Sequence, residues 1–345
     1  MVEAIARELK LQQTYLGTEP INTIYFGGGT PSLLSEEELN LLLEKMHQLF
    51  PVSEGAEITL EANPDDLKAD KLKMMRQAGI NRLSIGIQSF HEPHLRYLNR
   101  AHNATEAQNC VKLAQDQGFD NISIDLIYAI PAEDHQIWRS DMAQAMDLRP
   151  QHISSYCLTI EDKTAFGNWL RKGKINEVEE DFAAEQFEML LDTLQRNGYE
   201  QYEISNFCLP KYESRHNSNY WRKEKYLGVG PGAHSYNGPS RQYNVSNNSL
   251  YLKSLAEDKI PAELDVLQPH DQVNEYIMTG LRTKWGIDLQ KINQKYGYDL
   301  YQQHQAYLDR LQQEEKISMQ GQQLILTNQG KLLADRIASD LFLLQ

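Results

Sequence analysis

The sequence predicts an α/β fold, and three observations predict it. Strand-like apolar runs alternate with helical patterns through the first two thirds of the 345 residues. Several of those runs end on a glycine or polar signature. From about Pro261 the texture turns to helices and a short hairpin, which reads as a mostly helical, winged-helix-like domain. The boundary is placed there, giving domains of residues 1–260 and 261–345.

The elements follow in order. Val2 to Tyr15 reads as a helix with Val2, Ile5, Leu9 and Leu16 near one face, and no strand precedes it. A barrel of βα units opens with a strand, so the first strand and its loop are expected to be missing from this chain. Candidate strands are Thr23–Phe26, Glu57–Glu61, Arg82–Ile87, Ile122–Ile127, Ile153–Thr159 and Tyr202–Ser205. Their density in Ile, Leu and Tyr suggests burial on both faces. Helical patterns lie between them at Glu36–Leu49, Asp66–Gln77, Ala104–Gln117, His135–Met146 and Asp181–Arg196. Strands separated by helices pair in parallel through right-handed crossovers. In the C-terminal part, helices are expected over Val273–Thr283, Leu289–Lys295 and Tyr301–Gln313. A hairpin follows at Ile317–Met319 and Leu324–Leu326, then a helix from Gln329 to about Leu341.

Composition narrows the function. Hydrophobic content of 41% with 24% charged residues is that of a soluble globular protein. No apolar run approaches the ~20 residues of a membrane span. The N-terminus has no apolar core, so it is not a signal peptide. The net charge of −14 argues against a nucleic-acid partner. From Ala262 onward, eight Lys/Arg face eleven Asp/Glu, so a DNA-reading wing is not expected and a structural or lid role is favoured. Cys110, Cys157 and Cys208 stand far apart, which fits a reducing cytoplasm and gives no clustered metal motif.

Four groups of residues carry candidate chemistry. In "TIYFGGGTPSLL", Gly27–Gly29 and Thr30 follow a strand, where bare backbone lets a ligand approach closely. No Lys follows, so it is not a Walker loop, and the spacing is not a dinucleotide fingerprint. A tight turn is the structural alternative, but one rarely takes three glycines. Glu61, Gln88, Arg100 and Asp125 form the second group. An acid within an apolar strand is costly unless paired. One ligand with hydroxyls, an amine and a carboxylate would satisfy all four; separate structural hydrogen bonds are the alternative. The third group, His216, Asn217, Tyr220 and Trp221 in "RHNSNYW", suits a flat aromatic ligand or a packed loop around a satisfied histidine. The fourth, "GVGPGAHS" from Gly228 to Ser235, reads as a backbone turn lining a pocket and not as a nucleotide loop.

The stretches "YFGGGTPSLL", "LEANP", "RLSIGIQSF", "LNRAH" and "SIDLIYAIP" resemble the coproporphyrinogen III oxidase-like branch of the radical S-adenosylmethionine (SAM) enzymes. The successive spacings agree with it: 27 residues from Glu61 to Gln88, 12 from Gln88 to Arg100 and 25 from Arg100 to Asp125. "HNSNYW" and "GVGPGAHS" point within that branch to the HemW group of haem chaperones. The resemblance covers nearly the whole chain. It implies a partial (βα)6-type TIM-like barrel lacking its first strand, with SAM across the strand ends. Gly28, Gly29 and Thr30 would hold the methionyl end of SAM, Glu61 would help fix it, and Arg100 would pair with its carboxylate. Gln88 and Asp125 would address the ribose.

His216, Asn217, Tyr220 and Trp221 would serve haem, with His216 and His234 as candidate axial ligands. The resemblance also implies a [4Fe–4S] cluster on a Cys-x3-Cys-x2-Cys motif after the first strand. No such motif occurs here: the cysteines are 47 and 51 residues apart. The chain is therefore expected to hold no metal and to be inactive in reductive SAM cleavage. The function expected is haem binding and trafficking in the cytoplasm, with SAM, haem or porphyrin and a haem-receiving protein as partners. The alternatives are oxygen-independent coproporphyrinogen III oxidation, and a scaffold that performs no chemistry.

Overall fold

Residues 1–162, 164–173, 175 and 178–343 are described by a computed structural model. The chain forms two compact units. One comprises residues 25–34 and 58–213; the other comprises residues 1–24, 35–57 and the chain from Ser214 onward.

The strands of the main sheet are β1 (Ile21–Phe26), β2 (Val52–Ala62), β3 (Arg82–Gln88), β4 (Ile122–Tyr128), β5 (His152–Cys157), β6 (Glu200–Glu203) and β7 (Asn206–Cys208). Their order is β1-β2-β3-β4-β5-β7-β6, with β1 and β6 at the two ends, and the sheet is an open, incomplete barrel. β2 through β5 pair in parallel. Helices Ala69–Ala78, Ala104–Asp116 and Gln136–Leu148 make the crossovers.

These strands are buried on both faces, as expected, and apolar and polar residues largely alternate between the two faces. Leu60, Leu83, Ile85, Ile87, Ile122, Ile124 and Ile153 are sealed from solvent. The intervening residues form a polar face: Tyr25, Thr59, Glu61, Arg82, Ser84, Ser123, Asp125, His152 and Ser154. Hydrogen bonds tie that face together. Ser123 Oγ lies 2.7 Å from His152 Nδ1, and Tyr202 Oη lies 2.8 Å from His152 Nε2. Ser154 donates to Asn206 at 3.2 Å.

The expected strand Tyr202–Ser205 falls on a hairpin: Tyr202 and Glu203 close β6, Ile204 and Ser205 form the turn, and β7 returns antiparallel on β5. The buried Glu203 carboxylate holds that turn, accepting from the Ser205 N–H at 2.9 Å and the Asn206 amide at 2.6 Å.

The other unit holds helices Val2–Leu11, Glu36–Leu49 and Asn248–Ala256, together with β8 (His234–Tyr236), β9 (Ser240–Asn244) and β10 (Ala262–Val266) in one antiparallel sheet. The sequence reading missed that sheet. The buried side of Val2–Leu11 is Ala6, Glu8 and Leu9, so it includes an acid. Glu8 is sealed from solvent and accepts from Gln12 (2.9 Å), the Gly230 N–H (2.9 Å), Asn244 (2.7 Å) and the Tyr251 hydroxyl. This explains "GVGPGAHS": the glycine turn wraps a carboxylate. At Gly228, a Cβ would stand 2.2 Å from the His234 carbonyl oxygen, so no larger residue fits.

Beyond it come helix Pro269–Leu281, β11 (Ile287–Asp288), helices Leu289–Tyr296 and Leu300–Gln313, and the hairpin β12 (Ile317–Gln320) and β13 (Gln323–Leu326). β11 joins β13, so the sheet order is β11-β13-β12. The last helix is two, Asn328–Lys331 and Ala334–Asp340. Among the described residues no helix is long and apolar enough to cross a membrane.

Candidate cofactor site

The residues at the C-terminal ends of β1 to β4 lie in one unit. β1 runs out at Phe26, and the exposed stretch Gly27–Thr30 follows. Gly28 has φ +92°, a left-handed value that glycine adopts freely, and nothing approaches its side-chain position. Its N–H donates to Glu61 at 3.2 Å, and the Tyr25 hydroxyl donates to the other oxygen of Glu61 at 2.6 Å. The acid in an apolar strand is thus paired, as its cost demands. Burial and the Glu61 charge push the Tyr25 phenol far above its usual range, so it stays a donor. Beyond the glycines, the Ser32 hydroxyl donates to Asp66 at 2.6 Å, and Lys71 donates to the Leu34 carbonyl. The loop is anchored on both sides of its bare backbone.

β3 ends in strain. Its register against β4 slips between Ile85 and Gln88, where three steps on β3 face two on β4. Gln88 itself has φ +66°, a left-handed conformation that a non-glycine residue adopts at a cost. Arg100 donates from one guanidinium nitrogen to Asn63 Oδ1 at 2.8 Å and to the Gly86 carbonyl at 3.3 Å, while its Nε is buried with no partner. Gly86 measures how closely these groups converge. A Cβ built there would lie 3.1 Å from Gln88 Nε2 and 3.3 Å from Arg100 Nη2.

On β4, Asp125 sits on the polar face, and Ser84 donates to it at 3.5 Å. Burial pushes its carboxyl up to about 6, and the Glu61 charge adds to the rise. Glu61 pairs in register with Ser84 and Asp125 with Ser154. The structure thus joins Gly28, Glu61 and Asp125 along one face, and Gln88 with Arg100 around Gly86. The sequence reading missed Tyr25, Asn63 and Ser84. Strand alternation was the available signal, since Tyr25 is in phase with Gly27, and Asn63 with Glu61.

His216, Asn217, Tyr220 and Trp221 lie on helix Arg215–Trp221 in the other unit. Ser214 caps it, accepting from the Asn217 N–H at 3.2 Å. The Glu57 carboxylate accepts from the Arg215 and His216 N–H groups at 3.1 and 3.0 Å. Both His216 ring nitrogens are engaged: Nδ1 with Thr23 Oγ1 at 3.0 Å and Nε2 with the Tyr220 hydroxyl at 3.1 Å. Tyr220 is 40% exposed and meets the His216 and Tyr226 rings edge-on. The Trp221 indole N–H is buried without a partner. His234 is exposed, its ring near that of Tyr243.

The thiols do not suit an iron–sulfur cluster. Cys110 and Cys208 are buried and Cys157 half-buried, on three separate elements. Burial pushes Cys110 up to about 12. Among the described residues no group of three His, Cys, Asp or Glu is placed to hold a metal ion.

Comparison with known proteins adds three findings. The model of the radical SAM superfamily matches residues 2–143, and that of the HemN C-terminal domain matches residues 267–333. Heme chaperone HemW of Bacillus subtilis is 35% identical over 338 residues, covering 97% of this chain and 89% of that protein. Heme chaperone HemW of Lactococcus lactis is 34% identical over 319 residues, covering 92% and 84%. Among solved structures, coproporphyrinogen III oxidase (HemN) from Escherichia coli, a radical SAM enzyme, gives a TM-score of 0.83. It covers 99% of this chain and 82% of that one, and at 20% identity the likeness shows the fold.

Proposed function

Since the chain belongs to the HemW family of radical SAM proteins, we propose that it is a haem-trafficking chaperone that binds SAM at the ends of β1 to β4. The observation that carries the haem reading is the identity to HemW proteins over nearly the whole chain. For SAM it is the meeting of Gln88 and Arg100 around Gly86, beside a paired Glu61. Arg100 Nε, buried and unpaired, suits the methionyl carboxylate. Gly28, Gly29 and Thr30 offer backbone to the same end. Glu61 and Asp125 place negative charge where a sulfonium would lie, and Gln88 and Asp125 address the ribose hydroxyls. Haem is assigned to the exposed Tyr220 ring with His216, Asn217 and Trp221, for delivery to a receiving protein in the cytoplasm. Residues 261–345 are assigned a structural or lid role.

In the family a [4Fe–4S] cluster supplies the electron that cleaves SAM. The cysteines of this chain do not fit that cluster, so no radical step is derived through it, and no 5′-deoxyadenosine is expected from the 345 residues. An iron-loaded sample that produced it would contradict this.

The test is spectrophotometric haem titration together with calorimetric titration of SAM. Stoichiometric binding of both is expected. No haem binding, even by a form of the protein carrying a cluster segment, would remove the chaperone reading.

A further inference from the structure

The strained strand end at Gln88 has a support that the SAM-site residues do not explain. Asp141, on helix Gln136–Leu148, is 1% exposed and makes no ion pair among the described residues. One of its carboxylate oxygens accepts from the Ser89 hydroxyl at 2.5 Å, and the other accepts from the Phe90 N–H at 2.9 Å. Ser89 Oγ in turn accepts from the His91 N–H at 3.0 Å, and the Ser89 N–H reaches back to the Ile87 carbonyl at 2.9 Å. Ser89 and Phe90 are thus pinned to one carboxylate about fifty residues away in sequence, and His91 is tied to it through Ser89. The groups around Asp141 are uncharged: it borders a small void lined by His94, Ile127, Ile130, Trp138 and Gln186. Burial holds the His94 imidazole down at about 4, so it carries no charge at neutral pH. A lone buried carboxylate is an expensive way to hold an ordinary turn. Charge-assisted hydrogen bonds are the stronger kind, and they are spent here on the residues that follow a left-handed glutamine.

We propose that Asp141 is a positioning residue for Gln88: by clamping Ser89 and Phe90 it fixes the left-handed turn that presents the Gln88 amide beside Arg100, and so sets the site's preference for a ligand with ribose hydroxyls. The ribose part rests on the SAM reading above; the clamp itself does not.

The test uses Asp141→Ala, Asp141→Asn and Ser89→Ala in the full chain. Each is titrated calorimetrically with S-adenosylhomocysteine and with its 2′,3′-dideoxyribose analogue, and amide hydrogen exchange is followed over residues 83–91. Loss of the charged acceptor is expected to weaken S-adenosylhomocysteine about tenfold in Asp141→Ala and about threefold in the two milder variants. The dideoxy analogue should change less than about twofold, because it lacks the groups that Gln88 reads. Exchange should quicken at Ser89–His91 and stay unchanged at Leu83–Ile87. Equal losses for both ligands, or S-adenosylhomocysteine binding within twofold of wild type, would overturn the proposal. If the wild-type chain binds neither ligand, the SAM reading fails. Exchange then decides the clamp: faster exchange at Ser89–His91 supports it, and unchanged exchange overturns it. If Asp141→Ala does not fold, the two milder variants decide by the same criteria.

Discussion

Lowering the pH from 7.5 to 5 should weaken SAM binding through Asp125. Its carboxyl is raised to about 6 from 3.8, burial first and the Glu61 charge after it. With that value the group is about 97% ionised at pH 7.5 and about 9% at pH 5. If the cationic ligand takes the ionised form, affinity falls about tenfold across the interval. Calorimetric titration at several pH values reads this directly, and repeating it in buffers of different ionisation enthalpy reads the proton released on binding. Asp125→Asn should bind more weakly at pH 7.5 and vary less than about threefold down to pH 5. Asp141 shares the titration range, but protonating one of its oxygens leaves the other free to accept, so its contribution is smaller. A full tenfold fall persisting in Asp125→Asn would refute the assignment, and so would a flat profile in the wild type.

The same shift bears on stability. A raised folded value means that the folded state holds the proton more tightly, so Asp125's favourable contribution is complete below pH ~4 and is lost as pH rises through about 6. A rise from 3.8 to about 6 corresponds to about 3 kcal/mol, so Asp125→Asn should be more stable than wild type at pH 7.5 in urea unfolding, by up to that amount; a destabilised variant would contradict the sign. Glu8→Gln should lose about 2 kcal/mol, because an amide cannot accept from all four donors that converge on Glu8; a loss below about 0.5 kcal/mol by the same measurement would show that the network reorganises. In Gly27→Ala the new methyl would stand 2.6 Å from the Tyr25 ring and 3.0 Å from Glu61, so SAM affinity should drop about tenfold through displaced Glu61, checked by titration.

The residues that strand ends bring together were legible because their signal is local. A glycine run after "TIYF", an acid closing "EITLE" and a glutamine closing "RLSIGIQ" each mark where a strand stops. Parallel pairing then sets those stops side by side. The period-2 alternation was equally present and would have added Tyr25, Asn63 and Ser84, but a count of Ile and Leu hid it. Glu8 and Asp141 were not legible. Each is one acid on an amphipathic helix, as solvated surface acids are, and each gains its meaning from donors far off in sequence, at Gly230 and Asn244 or at Ser89 and Phe90. The hairpin of β6 and β7 was lost for a related reason. Its strands have four and three residues, too short for a period to register, and its turn is set by the Glu203 side chain.

His216 poses the sharpest question for haem. An imidazole that ligates iron through Nε2 needs its proton on Nδ1, and Thr23 Oγ1, 3.0 Å from Nδ1, would accept that proton's hydrogen bond in this tautomer. Glu57 holds the helix end that carries the ring. On the other side, the Tyr220 hydroxyl at 3.1 Å occupies Nε2, the position iron would take. If His216 is the axial ligand, Thr23 would prepare the ring for the iron and Tyr220 would compete with it. Removing the competitor with Tyr220→Phe keeps the aromatic face and gives up one hydrogen bond worth about 1 kcal/mol net, so haem should bind about fivefold more tightly. Thr23→Val should weaken it, by freeing the other tautomer. Haem titration with the Soret band as readout measures both. If His216→Ala leaves the band and the affinity unchanged, the histidine is a structural brace between Thr23 and Tyr220, and the axial ligand lies elsewhere.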